Sequence, residues 1–311
     1  MTRVAAIDCG TNSLRLLIAD IDRATGDVVD VDRETRIVRL GQGVDRTRRF
    51  ADDALARTFA VCHEYAVLID ARQVEHVRFV ATSASRDVSN RDAFVDGVRQ
   101  ALGIAPEVVS GDEEAALSFV GATRELTGVP APYLVVDIGG GSTEFVLGGR
   151  DVEAARSVDI GCVRLTERHL RDDPPTPAQI AAARADIMAG IDLAAQTVPF
   201  AKAATVIGLA GSVTTVAAIA FELPEYDEVR IHHSRMTAPQ IHDVTQRLLT
   251  MTGAQRLALP VMHPGRADVI GGGALVLDTI VGRLGVAQIV VSEHDILDGI
   301  AFSIAGLNSS K

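Results

Sequence analysis

The chain has no tryptophan, three tyrosines, nine phenylalanines and three cysteines, and of its 30 basic residues only Lys202 and Lys311 are lysine. Aromatics at 4% offer little surface for stacking bases, and a formal charge of −11 opposes the phosphates of nucleic acid, so a nucleic-acid partner is argued against. No run nears the roughly 18 uninterrupted apolar residues that a spanning helix needs, so no membrane partner is expected. The opening Met1-Thr-Arg-Val-Ala-Ala-Ile-Asp8 enters a strand-like segment without a signal-peptide pattern, which sets the expectation of a cytoplasmic protein. Cys9, Cys62 and Cys162 are odd in number and far apart, which fits buried, reduced thiols better than a zinc knuckle or a redox pair. The eight histidines lack metal-ligand spacing, and His242-Asp243 and His294-Asp295 fall in unrelated segments.

What is present points to an ordinary globular chain. With 311 residues, 47% hydrophobic and 23% charged, it has the apolar material for a full core, at a length that suits two domains of about 150 residues. A small polyanionic substrate is compatible with the acidic balance only where arginines, backbone amides or a divalent cation supply local positive charge.

An internal repeat organises the sequence. Val4 to Ile18 aligns with Tyr133 to Leu147, so that Asp8, Gly10 and Ser13 correspond to Asp137, Gly139 and Ser142. Each copy reads as an apolar strand, a glycine-bearing polar turn and a second apolar strand, and two homologous α/β halves follow. After the first hairpin the pattern predicts a strand over 37–40, a helix over 52–71, a strand over 77–81, a helix over 91–102 and a short strand over 105–109. After the second it predicts a helix over 177–198, a strand over 204–209, helices over 214–220, 238–251 and 267–282, and a strand over 287–292. Thr127-Gly-Val-Pro-Ala-Pro132 punctuates the pattern, giving an N-terminal lobe of residues 1–126 and a C-terminal lobe of residues 127–311.

Four segments carry candidate chemistry. Asp137-Ile-Gly-Gly-Gly-Ser-Thr-Glu144 suits a phosphate chain: Gly139, Gly140 and Gly141 let amides turn inward, and Ser142 adds a hydroxyl. Asp137 meets phosphate only through a divalent cation, for which Glu144 is a second oxygen ligand. An empty glycine hairpin is the alternative, made improbable by its duplicate at Asp8 to Ser13. In Ser110-Gly-Asp-Glu-Glu-Ala115 the capping-box spacing occupies Glu113 and leaves Glu114 to accept a proton from an attacking water, unless all three acids merely complement the helix dipole. Ala81-Thr-Ser-Ala-Ser-Arg86 sits on a strand-to-helix loop where Arg86 suits a phosphate, an N-capped surface loop being the alternative. Gly208-Leu-Ala-Gly-Ser-Val-Thr-Thr215 is a further anion or nucleotide wall at a helix start.

Taken in order, these segments with Ala6-Ile-Asp-Cys-Gly-Thr-Asn-Ser-Leu-Arg-Leu16 and Arg266-Ala-Asp-Val-Ile270 resemble the motifs of the exopolyphosphatase/guanosine pentaphosphate phosphohydrolase (Ppx/GppA) family over nearly the whole chain. The resemblance implies the duplicated actin-like ATPase (ribonuclease H-like) α/β fold, with the active site in a cleft between the lobes. It implies Mg²⁺- or Mn²⁺-dependent release of orthophosphate from the end of inorganic polyphosphate, or conversion of pppGpp to ppGpp, by a homodimer. By position, Glu114 matches the glutamate that deprotonates the attacking water, and Asp137 and Glu144 match the metal-holding acids. Asn12 and Ser13, with Gly139, Gly140, Gly141 and Ser142, match the phosphate turns, and Arg86 matches a substrate-phosphate contact. Two departures stand out. Longer relatives continue beyond the position of Lys311, which suggests a preference for short chains. The family's Gly-Leu-Arg-Glu-Gly pattern is replaced near His294-Asp-Ile-Leu-Asp-Gly299, without its arginine. A sugar or acetate kinase of the same fold and a non-catalytic polyphosphate or nucleotide sensor are the competing classes; Glu114 favours water as acceptor and catalysis over sensing.

Overall fold

A computed structural model describes residues 1–86 and 88–307. Among these residues, eleven strands form two sheets. The first contains β1 (Thr2–Cys9), β2 (Ser13–Ile21), β3 (Val28–Ile37), β4 (His76–Ala81) and β5 (Glu107–Val108), in the order β3-β2-β1-β4-β5. The second contains β6 (Tyr133–Ile138), β7 (Thr143–Gly148), β8 (Val152–Val158), β9 (Thr205–Leu209), β10 (Arg235–Thr237) and β11 (Gln288–Val291), in the order β10-β11-β9-β6-β7-β8. Both open with an antiparallel meander and continue through parallel strands, β4 beside β1 and β5 beside β4 in the first, β9 beside β6 and β11 beside β9 in the second, where β10 adds an antiparallel edge. The duplication read from the sequence is therefore a duplication of topology.

The period-two alternation of β1 decides which side chains face which helices. Ala5, Ile7 and Cys9 join the core that includes Leu55, Tyr65 and Phe94 of the helices Asp52–Ala71 and Arg91–Leu102. Val4 and Ala6 join Leu117, Ile296, Leu297 and Ile300 on the other face, beneath the helices Gly111–Thr123 and Ile296–Ile304. Asp8 shares the parity of Val4 and Ala6, so it points to the side that carries Glu114. In the second sheet Leu134, Val136 and Ile138 enter the largest core, and Asp137 is on the opposite parity. Cys9, Cys62 and Cys162 are free and buried.

The helices over 52–71 and 91–102 fall where the periodicity puts them. The segment over 37–40 does not: β3 ends at Ile37, and the residues beyond it form a loop whose amides serve the first hairpin turn, described below. β3 itself, with β8, was hidden because each is an outer strand of a meander, polar on much of its length and without a clean alternation. Compact packing divides the chain into residues 1–124 with the C-terminal segment from Ile296, and Glu125–Asp295. The last helix is thus part of the first unit rather than the second, because its apolar face completes the core under β1. There Gly299 lies so close to the helix Gly111–Thr123 that a Cβ would meet the Leu117 carbonyl oxygen at 2.0 Å. Gly299→Ala is expected to destabilise the protein by about 1–3 kcal/mol through overpacking against a backbone that cannot retreat, measured by denaturant unfolding. An unchanged midpoint would mean that this helix is not seated as described. Leu297, on the segment that lacks the expected arginine, is core, and Asp298 pairs with Arg33 of β3. Among the described residues no helix is long and apolar enough to cross a membrane.

Candidate active site

Each hairpin turn closes in the same way. The Gly10 amide donates to the Ser13 carbonyl at 3.0 Å, and the Gly139 amide to the Ser142 carbonyl at 3.1 Å. The other turn carbonyls are taken by the chain that follows the meander. In the first unit, Val38 and Arg39 donate to Asn12 O and Gly41 donates to Thr11 O. In the second, Cys162 donates to Gly139 O, Val163 and Arg164 to Gly140 O, and Gly161 with the Arg164 guanidinium to Gly141 O. Gly161 is required there: a Cβ would meet the Gly140 carbonyl oxygen at 2.3 Å. With their carbonyls occupied on one side, the amides of Gly140 and Gly141 donate to no described residue. That leaves a backbone surface suited to an anion.

Register places the acids. Asp8 is the cross-strand partner of Arg15, and the two form an ion pair at 2.7 Å. The equivalent pair in the second hairpin is Asp137 opposite Glu144, so a second acid stands where the first copy has its arginine. Both are buried, at 7% and 1% exposure. Like charges directly opposite on a sheet are destabilising unless a cation joins them. Glu144 is oriented by two hydroxyls, as Ser142 and Ser157 each donate to its Oε1 at 2.7 Å. Two hard carboxylates with hydroxyl support fit Mg²⁺ or Mn²⁺, ions that retain several waters and substrate oxygens. Among the described residues no group of three His, Cys, Asp or Glu side chains is placed to hold a metal together. The Ser142 hydroxyl, read from the sequence as a phosphate donor, spends its proton on Glu144.

In the first unit the carboxyl ends of β1, β4 and β5 stand side by side, with Cys9 paired to Ala81 and Ala81 to Val108. Neighbouring strands are about 4.8 Å apart, so the turn at Asn12 and Ser13, the loop from Thr82 and the start of the helix at Gly111 are brought together. The Thr11 and Ser83 hydroxyls meet at 3.1 Å. Ser110 caps the helix Gly111–Thr123 by accepting from the Glu113 amide at 3.1 Å, while the Glu113 carboxylate turns to Arg78 at 2.7 Å instead of closing a capping box. Glu114 projects into the cluster, 8% exposed. It is held: Arg86 Nη1 donates to its Oε2 at 2.6 Å. Burial pushes the Glu114 carboxyl above the usual range, Arg86 pulls it back, Asp8 adds to the rise and the Thr82 hydroxyl opposes it; the net direction is upward. Ser157 went unnoticed in the sequence, and Asp8 and Thr82, though within segments singled out there, were assigned no role of their own. For Asp8 the signal was present, since it is the exact counterpart of Asp137.

In the second unit Asp137 is paired with Leu209, and Gly208 with Val291, so the segment Gly208–Thr215 lies at the same sheet end as Asp137. Beyond β11, Glu293 accepts from the Tyr226 hydroxyl at 2.7 Å. Burial first, then Glu228 and Asp295, push the Glu293 carboxyl up to about 7 against the pull of Tyr226 and Arg266. A carboxyl raised on folding favours the folded state while protonated. That contribution is complete below the unfolded value near 4.3 and is lost as pH rises through about 7. Glu293→Gln is therefore expected to raise stability by about 2–3 kcal/mol at alkaline pH and to change it little near pH 4, read by unfolding at both. Equal effects at the two pH values would refute the shift.

The model of the Ppx/GppA phosphatase family matches residues 17–307. Exopolyphosphatase 2 of Mycobacterium tuberculosis is 54% identical over 98% of this chain and 99% of its own. Among solved structures, an exopolyphosphatase-like protein is 45% identical with a TM-score of 0.94, covering 98% of this chain and 99% of its own. An exopolyphosphatase from Cytophaga hutchinsonii is 26% identical with a TM-score of 0.86, covering 98% of each chain. The two-sheet duplicated fold, the two turns in register and these similarities agree: the chain belongs to the Ppx/GppA phosphatase family.

Proposed function

We propose that the protein is an exopolyphosphatase that hydrolyses the terminal phosphoanhydride of inorganic polyphosphate, with Glu114 as the general base. The observation that carries this is the second hairpin, where Asp137 is paired with Glu144 beside the amides of Gly140 and Gly141, which donate to no described residue. The 54% identity to a protein named Exopolyphosphatase 2 supports it. Gly139, Gly140 and Gly141 present backbone to the phosphate chain, and the turn at Asn12 and Ser13 is assigned the same task. Asp137 and Glu144 hold the divalent cation, with Ser142 and Ser157 fixing the Glu144 carboxylate. When bound, that cation neutralises phosphoryl charge, which is the main demand of a reaction needing little covalent help. Glu114 accepts the proton of a water whose oxygen bonds to the terminal phosphorus. The anhydride P–O bond breaks, its electron pair leaves on the shortened chain, orthophosphate departs, and Glu114 returns the proton to solvent. The active species is a cytoplasmic homodimer in this reading, with the dimer read by light scattering.

A second reading, conversion of pppGpp to ppGpp, is favoured by one observation. Glu293, oriented by Tyr226 on the Asp137 end of the second sheet, is an acceptor for the N–H donors of a base, which polyphosphate lacks. The test is orthophosphate release with Mg²⁺, and with EDTA as control, from short polyphosphate, long polyphosphate, pppGpp and ATP in parallel. Metal-dependent release from polyphosphate with little from pppGpp is expected. Release chiefly from pppGpp would install the second reading, and release from none would leave a sensor.

A further inference from the structure

We infer that Arg86 is a positioning residue for the base: its guanidinium orients the Glu114 carboxylate and balances its charge. The inference rests on Glu114 being that base, and it departs from the substrate-phosphate contact that family resemblance implies for Arg86. The geometry is a braced triangle. Arg86 Nη1 donates to Glu114 Oε2 at 2.6 Å and also to the Val109 carbonyl at 3.2 Å, just upstream of the helix that carries Glu114. One nitrogen is thereby tied both to the carboxylate and to the backbone leading into its helix. The turn Ser83–Arg86 is clamped from behind by Arg91, which donates to the Ser85 and Arg86 carbonyls at 2.8 and 2.7 Å. The guanidinium thus has little freedom to swing toward a ligand without giving up the carboxylate.

Charge requires the same arrangement. From β1, Asp8 faces Glu114 and disfavours its ionised form, although Asp8 is itself paired with Arg15. From the β4 loop, Thr82 donates a hydrogen bond and Arg86 supplies the positive charge. On Glu114's own helix, Asp112 is exposed and Glu113 is engaged by Arg78. Arg86 is therefore the cation that keeps a buried carboxylate, beside another acid, ready to take a proton. Deprived of it, Glu114 holds its proton to higher pH and no longer points a fixed oxygen at water.

The test measures kcat and kcat/KM of the full chain across pH with Mg²⁺ and tripolyphosphate, for the parent, Arg86→Met, Arg86→Lys and Thr82→Val. Arg86→Met is expected to move the acid limb of kcat/KM up by about 1 to 3 pH units, with KM within about threefold of the parent and activity partly regained in alkali. Arg86→Lys keeps the limb near its parental position, and Thr82→Val moves it upward by less than Arg86→Met. A KM raised tenfold or more in Arg86→Met with the limb unmoved would overturn the inference and return Arg86 to the substrate. Should Arg86→Met not fold, an unmoved limb in Thr82→Val together with a raised KM in Arg86→Lys overturns it equally. Glu114→Gln separates the two levels: parental turnover there removes the base itself, whereas its loss with a normal Arg86→Met profile removes only the role of Arg86.

Discussion

Glu114→Gln is expected to lower orthophosphate release by about 10³-fold near neutral pH while leaving the protein folded and at least as stable as the parent. The two halves of that expectation come from the same geometry. The carboxylate is buried among Arg86, Thr82 and Asp8, where its ionised form is disfavoured despite the arginine. Its folded value lies above its unfolded one, so its contribution to stability is complete below the unfolded value and is lost as pH rises through the folded one. Where it is ionised, the charge is a liability to the fold, and glutamine removes it while its amide oxygen still accepts from Arg86. What glutamine cannot do is take a proton from water. Turnover and a thermal melt on the same preparation check both halves. Parental turnover would remove Glu114 from the reaction, and a large loss of stability would show that its charge is structural. Glu113→Gln gives the contrast: it loosens the contact with Arg78 and is expected to leave turnover near parental.

The second large effect is expected at the facing acids. Asp137→Asn and Glu144→Gln should each reduce metal-supported activity by at least about 100-fold and weaken Mn²⁺ binding, measured directly by titration calorimetry on the protein without substrate. The reason is the substitution that separates the two hairpins, Arg15 opposite Asp8 but Glu144 opposite Asp137. In the first, charge is balanced within the protein. In the second, two carboxylates share one cross-strand position, where a bound divalent cation would relieve their repulsion. Ser157→Ala, which removes one of the two hydroxyls on Glu144 Oε1, is expected to cost roughly 10-fold or more in metal affinity without touching substrate. Parental Mn²⁺ affinity in both acid variants would dissolve the proposed cation site.

Much of this was legible in the amino-acid order because it is local. The Asp-turn-Ser repeat predicted two hairpins, and both close with the same amide-to-carbonyl bond. The helices over 52–71 and 91–102 were legible from their 3.6-residue periodicity. The outer strands β3 and β8 were not, since one neighbour and a solvated face ask little of their side chains. Ser110 as a cap was legible, but the destination of Glu113 was not: the capping box lost to an arginine 35 residues upstream in the chain, on a neighbouring strand.

The sequence by itself determined the duplicated α/β architecture, the two glycine turns and the short list of acids, because strand periodicity, turn chemistry and helix capping act over a few residues. Only the tertiary structure decided what those groups meet. It gave the final helix to the first unit, seating Gly299 on Leu117, because the apolar face beneath β1 needed covering. It filled the turn carbonyls with the amides of Gly41 and Gly161 to Arg164, leaving the Gly140 and Gly141 amides without a partner among the described residues. It also tied Arg86 to Glu114 across 28 residues. Such pairings depend on which strands end side by side, a property of the sheet order and not of any single segment.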